Sequence, residues 1–574
     1  MKGAGDRRQA SEANGKSEEP FIQSPPRLGN QYQDDVFLRA YLRRKLPADV
    51  LRAIEDELVA MGQLAGRELY EFQLRDRLNE PTLTQWDAWG NRIDRIEVTP
   101  LWQRVAAIAA TTGLIGIPYE RLHGQFSRVH QFALVYLFHP SSDLYTCPLA
   151  MTDGAARTLA GSGNVRLIER AIPRLTSRDP AHAWTSGQWM TESTGGSDVG
   201  ASLTIARRHG DGWRLHGKKW FTSAITSQMA LTLARPEGSG PGGSGLAMFY
   251  VETHEGDGDG RLNGIRIERL KDKLGTRKVP TAELTLDGAR AELVGESRGG
   301  TRNIEPMLVV TRAWNSVTSV ASMRRGVALA TAYASQRRAF GSPLSELPLH
   351  IDTLAQMEVE TRAAFVLAFE LVELMGRQES NAIDDDGRTL LRLLTPIAKL
   401  LTARQAVATV GEAIEAFGGA GYVEDTGLPA LLRDTHVLPI WEGTTNVLSL
   451  DAVLRGDLSS GLEAVGKRVE SCRGHVSDSR LGDLVRQAAA AVGHVGEWLQ
   501  SHGEAAAVQA GARRIAMTIG RALQLLLLVE HAQWSLDTAD EDAAGAIAAA
   551  RRFATTPIDR LNEITPAESQ ALMR

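Results

Sequence analysis

At 574 residues the chain is too long for one ordinary core, and length alone sets an expectation of about three or four domains. With 43% hydrophobic and 23% charged residues it has the make-up of a folded globular protein, and a formal net charge of -5 gives no overall attraction to nucleic acid or anionic membrane. Its only cysteines, Cys147 and Cys472, lie far apart, which excludes a disulfide framework and a cysteine zinc site. No apolar run approaches the ~20 residues of a bilayer span. The opening MKGAGDRRQASEANGKSEEP lacks the apolar core of a signal peptide. A cytoplasmic protein with no membrane partner is therefore expected.

Residues 1–34, rich in Gly, Ser, Glu, Pro and Gln, predict a disordered or extended arm. Residues 35–185 read as an N-terminal helical domain. In DVLRAIEDELVAMGQLAG, Leu51, Ile54, Leu58 and Met61 recur at spacings of three and four and mark one buried helix face. Residues 186–300 change texture. Short runs such as WRLHGKKWFTS, ALTLARP, GLAMFYVET and TAELTLDGA, separated by Gly- and Asp-rich turns, predict a central antiparallel β-domain, a barrel or sandwich. GSGPGGSG (238–245) lacks the Lys-Ser/Thr and the following helix of a phosphate loop, so it is expected to be a hairpin connection. Residues 301–458 return to helix as a four-helix-bundle domain. There Ile397, Leu400, Val407, Val410, Ile414 and Phe417 form a stripe, and Gly418-Gly419 supply its stop. Residues 459–574, Ala-rich and periodic, predict an extra helical C-terminal domain. The fold class is α+β, with the β-domain inserted between helical ones.

Three segments carry chemistry. In GQWMTESTGGSDVGAS (187–202), Thr and Ser alternate with Gly, so backbone N–H groups and hydroxyls can approach a ligand closely. About twenty residues on, KKWFTSAIT places Trp220 and Thr222 two apart on a strand, an aromatic face beside a hydroxyl. In RDTHVLPIWEGTTNVLSLD, Glu442 follows the apolar run Val437-Leu438-Pro439-Ile440, where a carboxylate loses hydration and gains the character of a general base.

Together with two further segments, these resemble the acyl-CoA dehydrogenase superfamily. MTESTGGSDV (190–199), WFT (220–222), RRAFG (337–341), FGGAGY (417–422) and EGT (442–444) match its motifs in order, within a resemblance covering roughly residues 100–455. The resemblance implies FAD as cofactor. Gln188, Met190, Thr191 and Ser197 would meet the isoalloxazine and pyrophosphate, Trp220 would pack on the flavin, and Thr222 would hydrogen-bond near its N5. Arg337, with Phe340 beside it, matches an arginine that reaches the pyrophosphate of a neighbouring subunit's FAD, and Glu415, Gly418 and Gly419 match a turn approaching that same cofactor. Thr444 and Asn446 match positions beside the first subunit's FAD. Arg312, Trp441, Gly443 and again Ser197 match substrate positions. Glu442 matches the catalytic base. In some branches the base instead precedes the equivalent of Arg312, but that position is Thr311 here.

The implied reaction is α,β-dehydrogenation of an acyl-CoA thioester to a trans-2-enoyl-CoA, by a homo-oligomer, a tetramer, with electron transfer flavoprotein as acceptor. Departures from the common pattern (Glu415 for Gln, Ala339 for a hydroxyl residue, Trp441 for Tyr, and no Gln in LSELPLH) bear on substrate choice. The long N-terminal segment, DAWGNRIDRIEVTPLW (87–102) and the helical tail resemble the alkylation-response, AidB-like branch. That branch brings a rival: a DNA-associated protective flavoprotein. The tail pairs Lys467-Arg468, Arg513-Arg514 and Arg551-Arg552 are roughly balanced by acidic residues, including Asp537, Asp540, Glu541 and Asp542, whereas a DNA-binding face shows a basic excess. A third reading, acyl-CoA oxidase, would pass its electrons to oxygen.

Overall fold

The computed structural model describes residues 23–256 and 260–573. Most of the expected arm, residues 1–22, lies outside the described residues. Its end is docked: Leu28 and Tyr32 are buried, and the Asn30 side chain donates to Val59 O (2.9 Å) and accepts from Tyr32 N (3.0 Å).

The N-terminal domain runs through α1 (Val36–Lys45), α2 (Ala48–Gly66), α3 (Glu68–Asp76), α4 (Pro100–Thr111), α5 (Ile117–Glu120), α6 (Ser127–Phe138), α7 (Thr146–Ala160) and α8 (Val165–Leu175). The Leu51/Ile54/Leu58/Met61 stripe lies on α2, with Ile54, Leu58 and Met61 buried and Leu51 partly so. The expectation of uninterrupted helix is corrected by a hairpin of β1 (Thr82–Trp86) and β2 (Arg92–Glu97), paired antiparallel from Thr82↔Glu97. Its turn is built on Asp87, whose carboxylate accepts from Trp89 N (2.9 Å) and Asn91 N (2.8 Å), the side chain standing in for a backbone acceptor.

The β-domain holds β3 (Ser186–Trp189), β4 (Ile205–His209), β5 (Gly212–Thr222), β6 (Met229–Pro236), β7 (Ala247–Glu252), β8 (Ile265–Leu270) and β9 (Ala282–Val294). The pairings β4–β5, β5–β9, β9–β7, β7–β6 and β6–β4 close a ring, so the unit is a barrel, with β3 added on β6 and β8 on β9. Closure leaves the five ring strands no bare edge. The sheet is not wholly antiparallel: β3 and β4 both run parallel to β6, because residues 190–204 form an excursion that returns the chain in the same direction. The 238–245 segment joins β6 to β7 within an antiparallel pair and is stitched by the Arg235 guanidinium on Gly240 O and Gly242 O.

The second helical domain comprises α9 (Gly300–Asn303), α10 (Glu305–Gln336), the small hairpin β10 (Arg338–Ala339) and β11 (Ser342–Pro343), α11 (Pro348–Glu379), α12 (Asp385–Ala416), α13 (Leu428–Thr435) and α14 (Thr445–Leu450). The extension adds α15 (Leu458–His475), α16 (Ser479–Ser501), α17 (Ala505–Asp537), α18 (Ala543–Ala554) and α19 (Pro566–Leu572). One hydrophobic core runs from α1 through α10–α12 into α15–α18, so the extension shares the bundle's interior. At Gly520 of α17 a Cβ would stand 2.8 Å from Ile397 and 2.9 Å from Leu401, which is how closely α17 lies on α12.

By length and composition α17 could cross a bilayer, which corrects the expectation that no such stretch exists, yet 89% of its apolar window is buried inside the protein. It is a core helix. Several tail cations are also engaged in ion pairs, those of Lys467 and Arg552 at the surface. Lys467 pairs with Asp386 (2.7 Å), Arg468 with Glu530 (2.9 Å) and Arg552 with Asp352 (2.9 Å), while Arg43 and Arg362 reach Asp540 and Asp542 (2.8 Å each).

Candidate active site

After α13 the chain folds through tight turns (Ile440 N to Val437 O, 2.8 Å) and reaches Glu442 at φ 57° and Gly443 at φ 106°. Two successive left-handed residues reverse the chain before Thr444 caps α14. Glycine is required at 443, where φ is positive and a Cβ would stand 2.9 Å from Leu448. A glutamate in the left-handed region costs energy and persists only where its surroundings hold it. Here two side chains do so. Thr311 Oγ1, on α10, lies 2.6 Å from Glu442 Oε2, and Lys399 Nζ, on α12, donates to Gly443 O at 2.7 Å. Glu442 itself is half-buried.

Lys399 is fully buried, and burial, together with the Arg312 cation, pushes its amine down to about 7 against the attraction of Glu442. Next to Thr311 on α10, Arg312 is paired with Asp451 at 2.8 Å. The indole Nε1 of Trp441 is buried with no partner among the described residues.

Cys147 lies buried on α7. Burial pushes that thiol up to about 12; Lys273 and the Ser223 side chain pull it down and the Glu442 charge pushes it further up. Ser223 directly follows β5, the strand that carries Trp220 and Thr222. Trp220 N donates to Thr191 O (3.0 Å), joining β5 to the Gly-rich segment, and the Lys271 ammonium sits 3.6 Å from the centre of the Trp220 ring. The Thr222 hydroxyl is buried and donates to Ala282 O (2.6 Å).

The Gly-rich segment is anchored by Glu192. Its carboxylate accepts from Leu203 N (2.7 Å), Thr204 N (3.2 Å), Thr204 Oγ1 (2.6 Å) and Lys219 Nζ (2.8 Å). Burial pushes Glu192 upward, but Lys219 and these donors outweigh it and hold the carboxyl below its ordinary range. Residues 193–198 are thereby presented as an exposed loop that includes Ser197.

The chain matches the family models described as "Acyl-CoA dehydrogenase, C-terminal domain" over residues 298–456 and "Acyl-CoA dehydrogenase, middle domain" over 187–289. It also matches "Adaptive response protein AidB N-terminal domain" over 23–180 and "Acyl-CoA dehydrogenase 11 C-terminal domain-like" over 461–571. It is 44% identical to acyl-CoA dehydrogenase family member 11 of Caenorhabditis elegans, over 89% of this chain and 86% of the relative. The chain belongs to the acyl-CoA dehydrogenase family. It is 34% identical to the putative acyl-CoA dehydrogenase AidB of Escherichia coli, over 69% of this chain and 73% of that one. The crystal structure of Caenorhabditis elegans ACDH-11 in complex with C11-CoA superposes with a TM-score of 0.90 at 41% identity, covering 97% of this chain and 95% of that one.

Acyl-CoA dehydrogenases are FAD flavoproteins, and the residues present fit that group. Gln188 Oε1 is a buried acceptor with no partner. Beside it Thr191 is half-buried, Ser197 is exposed, and a Cβ at Gly195 would meet nothing within 4 Å. Met190 is buried behind them.

The family's site residues fall into two groups. Glu442, Gly443, Trp441 and Arg312 gather around the α10–α12 corner; Trp220 and the 188–197 segment are joined to each other within the β-domain; Thr444 and Asn446 are exposed at the start of α14. Arg337, Phe340, Glu415, Gly418 and Gly419 lie elsewhere. Tyr333 stacks on Phe417 (centroids 4.2 Å), which joins the RRAFG and FGGAGY motifs at the far ends of α10 and α12. From Thr311 to Arg337 is about 39 Å along α10 at 1.5 Å per residue. Phe340 at that end is 97% exposed and Gly418-Gly419 stand clear of other atoms.

Sequence reasoning set Thr311 aside as no base and passed over Lys399 and Glu192. Lys399 had a signal: in PIAKLLTARQ it sits between Ile397 and Leu400 of the buried stripe, where a charge needs a partner.

Proposed function

We propose that this enzyme catalyses the FAD-dependent dehydrogenation of an acyl-CoA thioester to a trans-2-enoyl-CoA, with Glu442 as the base. The observation that carries this reading is the Glu442 carboxylate, held 2.6 Å from Thr311 on α10 at the end of the match to the acyl-CoA dehydrogenase C-terminal domain. By the family resemblance, a substrate beside Glu442 would have the flavin ring on its other side. Glu442 removes the proton from carbon 2, and its backbone N–H, as the family resemblance implies, donates to the thioester carbonyl as negative charge grows there. Bound FAD supplies the acceptor for the hydride that leaves carbon 3. Thr311 orients the carboxylate, and Arg312 stands one residue on, toward the CoA portion. The two CH bonds are lost and one C=C forms, so the substrate is oxidised by two electrons.

A homo-oligomer, a tetramer in the family's pattern, fits the span of α10: Arg337 is about 39 Å along the helix from Thr311, and by the family resemblance it would reach a neighbouring subunit's FAD. The two electrons then pass to electron transfer flavoprotein. The test is anaerobic titration of the flavin-loaded protein with acyl-CoAs of increasing length, the eleven-carbon thioester among them because the Caenorhabditis elegans relative's structure contains it. Glu442→Gln should keep FAD yet abolish bleaching of the flavin band. Bleaching of that variant at the unsubstituted rate overturns the assignment. Peroxide release on acyl-CoA addition in air would move the reading to an oxidase. The DNA-associated rival has less support, since Lys467, Arg468 and Arg552 are engaged with carboxylates.

A further inference from the structure

Lys399 lies on the third helix of the bundle with no exposed surface, among Ile397, Ala398, Leu400 and Leu401, all buried. A methionine or leucine would fill such a position without the penalty of taking an amine out of water. Among the described residues the amine has one hydrogen-bond acceptor, and it is not a carboxylate: Nζ donates to Gly443 O at 2.7 Å. That carbonyl belongs to the second residue of the left-handed Glu442–Gly443 pair, the turn that decides where the base points. The charged groups facing the amine are Glu442, which attracts it, and Arg312, which repels it and is itself neutralised by Asp451 at 2.8 Å.

We propose that Lys399 is the positioning residue of the base: by holding the Gly443 carbonyl from inside α12 it fixes the strained turn, so that the Glu442 carboxylate stays against Thr311 and over carbon 2 of the substrate. The proposal rests on Glu442 being the base. It makes the site a two-point clamp, Thr311 on the side chain and Lys399 on the backbone, from two helices already locked together by the bundle core. A clamp of this kind acts on the geometry of proton removal and leaves ground-state binding alone, so its loss belongs in the catalytic rate and not in the Michaelis constant.

The experiment is Lys399→Met in the full-length, flavin-loaded protein. The expected result is at least a tenfold fall in the limiting rate of flavin bleaching by acyl-CoA, with half-saturation changed less than threefold. The step near pH 7 in the rate profile, where the buried amine titrates, should vanish with it. A rate within twofold of the unsubstituted protein, or a loss confined to half-saturation, overturns the proposal. Should the variant fail to hold FAD, Lys399→Arg decides: a rate within fivefold supports the clamp, and a loss as deep as that of Glu442→Gln overturns it. A readout without turnover is a crystal structure of Lys399→Met. The Thr311–Glu442 hydrogen bond should be broken there, and its retention at the present length overturns the proposal. Failure of the dehydrogenase reading itself would be seen separately, as no bleaching by any acyl-CoA in the unsubstituted protein.

Discussion

Thr311 Oγ1 stands 2.6 Å from Glu442 Oε2 and 3.1 Å from the carbonyl of Met307. A hydroxyl has one proton and two lone pairs, so it can serve both states of the base. It donates to the ionised carboxylate before proton removal; afterwards it turns to Met307 O and accepts from the protonated acid. Thr311→Val keeps the shape and removes both roles. A hydrogen bond to a charged group is worth about 1.5–3 kcal/mol, so flavin bleaching should slow roughly 10- to 150-fold in stopped flow. An unchanged rate would mean that the hydroxyl is a bystander.

Glu192 ties the start of the exposed 193–198 loop to Leu203 and Thr204 beyond its end and to Lys219 on β5. Glu192→Ala leaves the Lys219 ammonium buried without its counter-charge, a loss of about 3–5 kcal/mol. The purified variant should carry less flavin per chain by absorbance and melt earlier. Full flavin occupancy would separate the loop from cofactor binding.

If Arg337 serves the neighbouring subunit's FAD, two defective chains should repair each other. Arg337→Met and Glu442→Gln are each expected to be nearly inactive alone. In mixed oligomers one kind of site combines an intact Glu442 with an intact Arg337 from its neighbour. Co-refolding or co-expression should restore bleaching to a fraction of the sites. No recovery in verified mixed oligomers would place Arg337 in its own chain's site.

The seam between the extension and the first helix should be acid-sensitive at His531. The ring is buried against Phe37 (4.8 Å) with neither nitrogen partnered, and burial, aided by Arg44 and Arg362, pushes it down to about 3. The folded value is below the ordinary 6.5, so stability is present above 6.5 and is lost as pH falls toward 3, where the unfolded chain alone takes the proton. At pH 5 the penalty is about 2 kcal/mol. His531→Phe should therefore narrow the drop in Tm between pH 7 and pH 5. An equal drop in both proteins would assign the acid sensitivity elsewhere.

The covalent order of residues was enough for the family and its motifs, and not for Thr311, Lys399 or Glu192. Gly, Thr and Ser types at fixed spacings, an aromatic two before a hydroxyl, and a glutamate after an apolar run are local patterns, and local pattern also marks helix and strand periodicity. It failed where a single side chain closes a turn and where pairing partners are remote. The β1–β2 hairpin depends on Asp87 closing a turn, and the parallel register of β3 and β4 on β6 depends on where a fifteen-residue excursion from 190 to 204 returns. Periodicity carries neither. Tertiary structure alone brought Thr311 across 131 positions and Lys399 across 44 to the same turn, because which helix faces meet is set by packing of the whole bundle. It also put Arg337 at the opposite end of α10 from Thr311, a separation fixed by the rigid rise of the helix and invisible in a list of motifs.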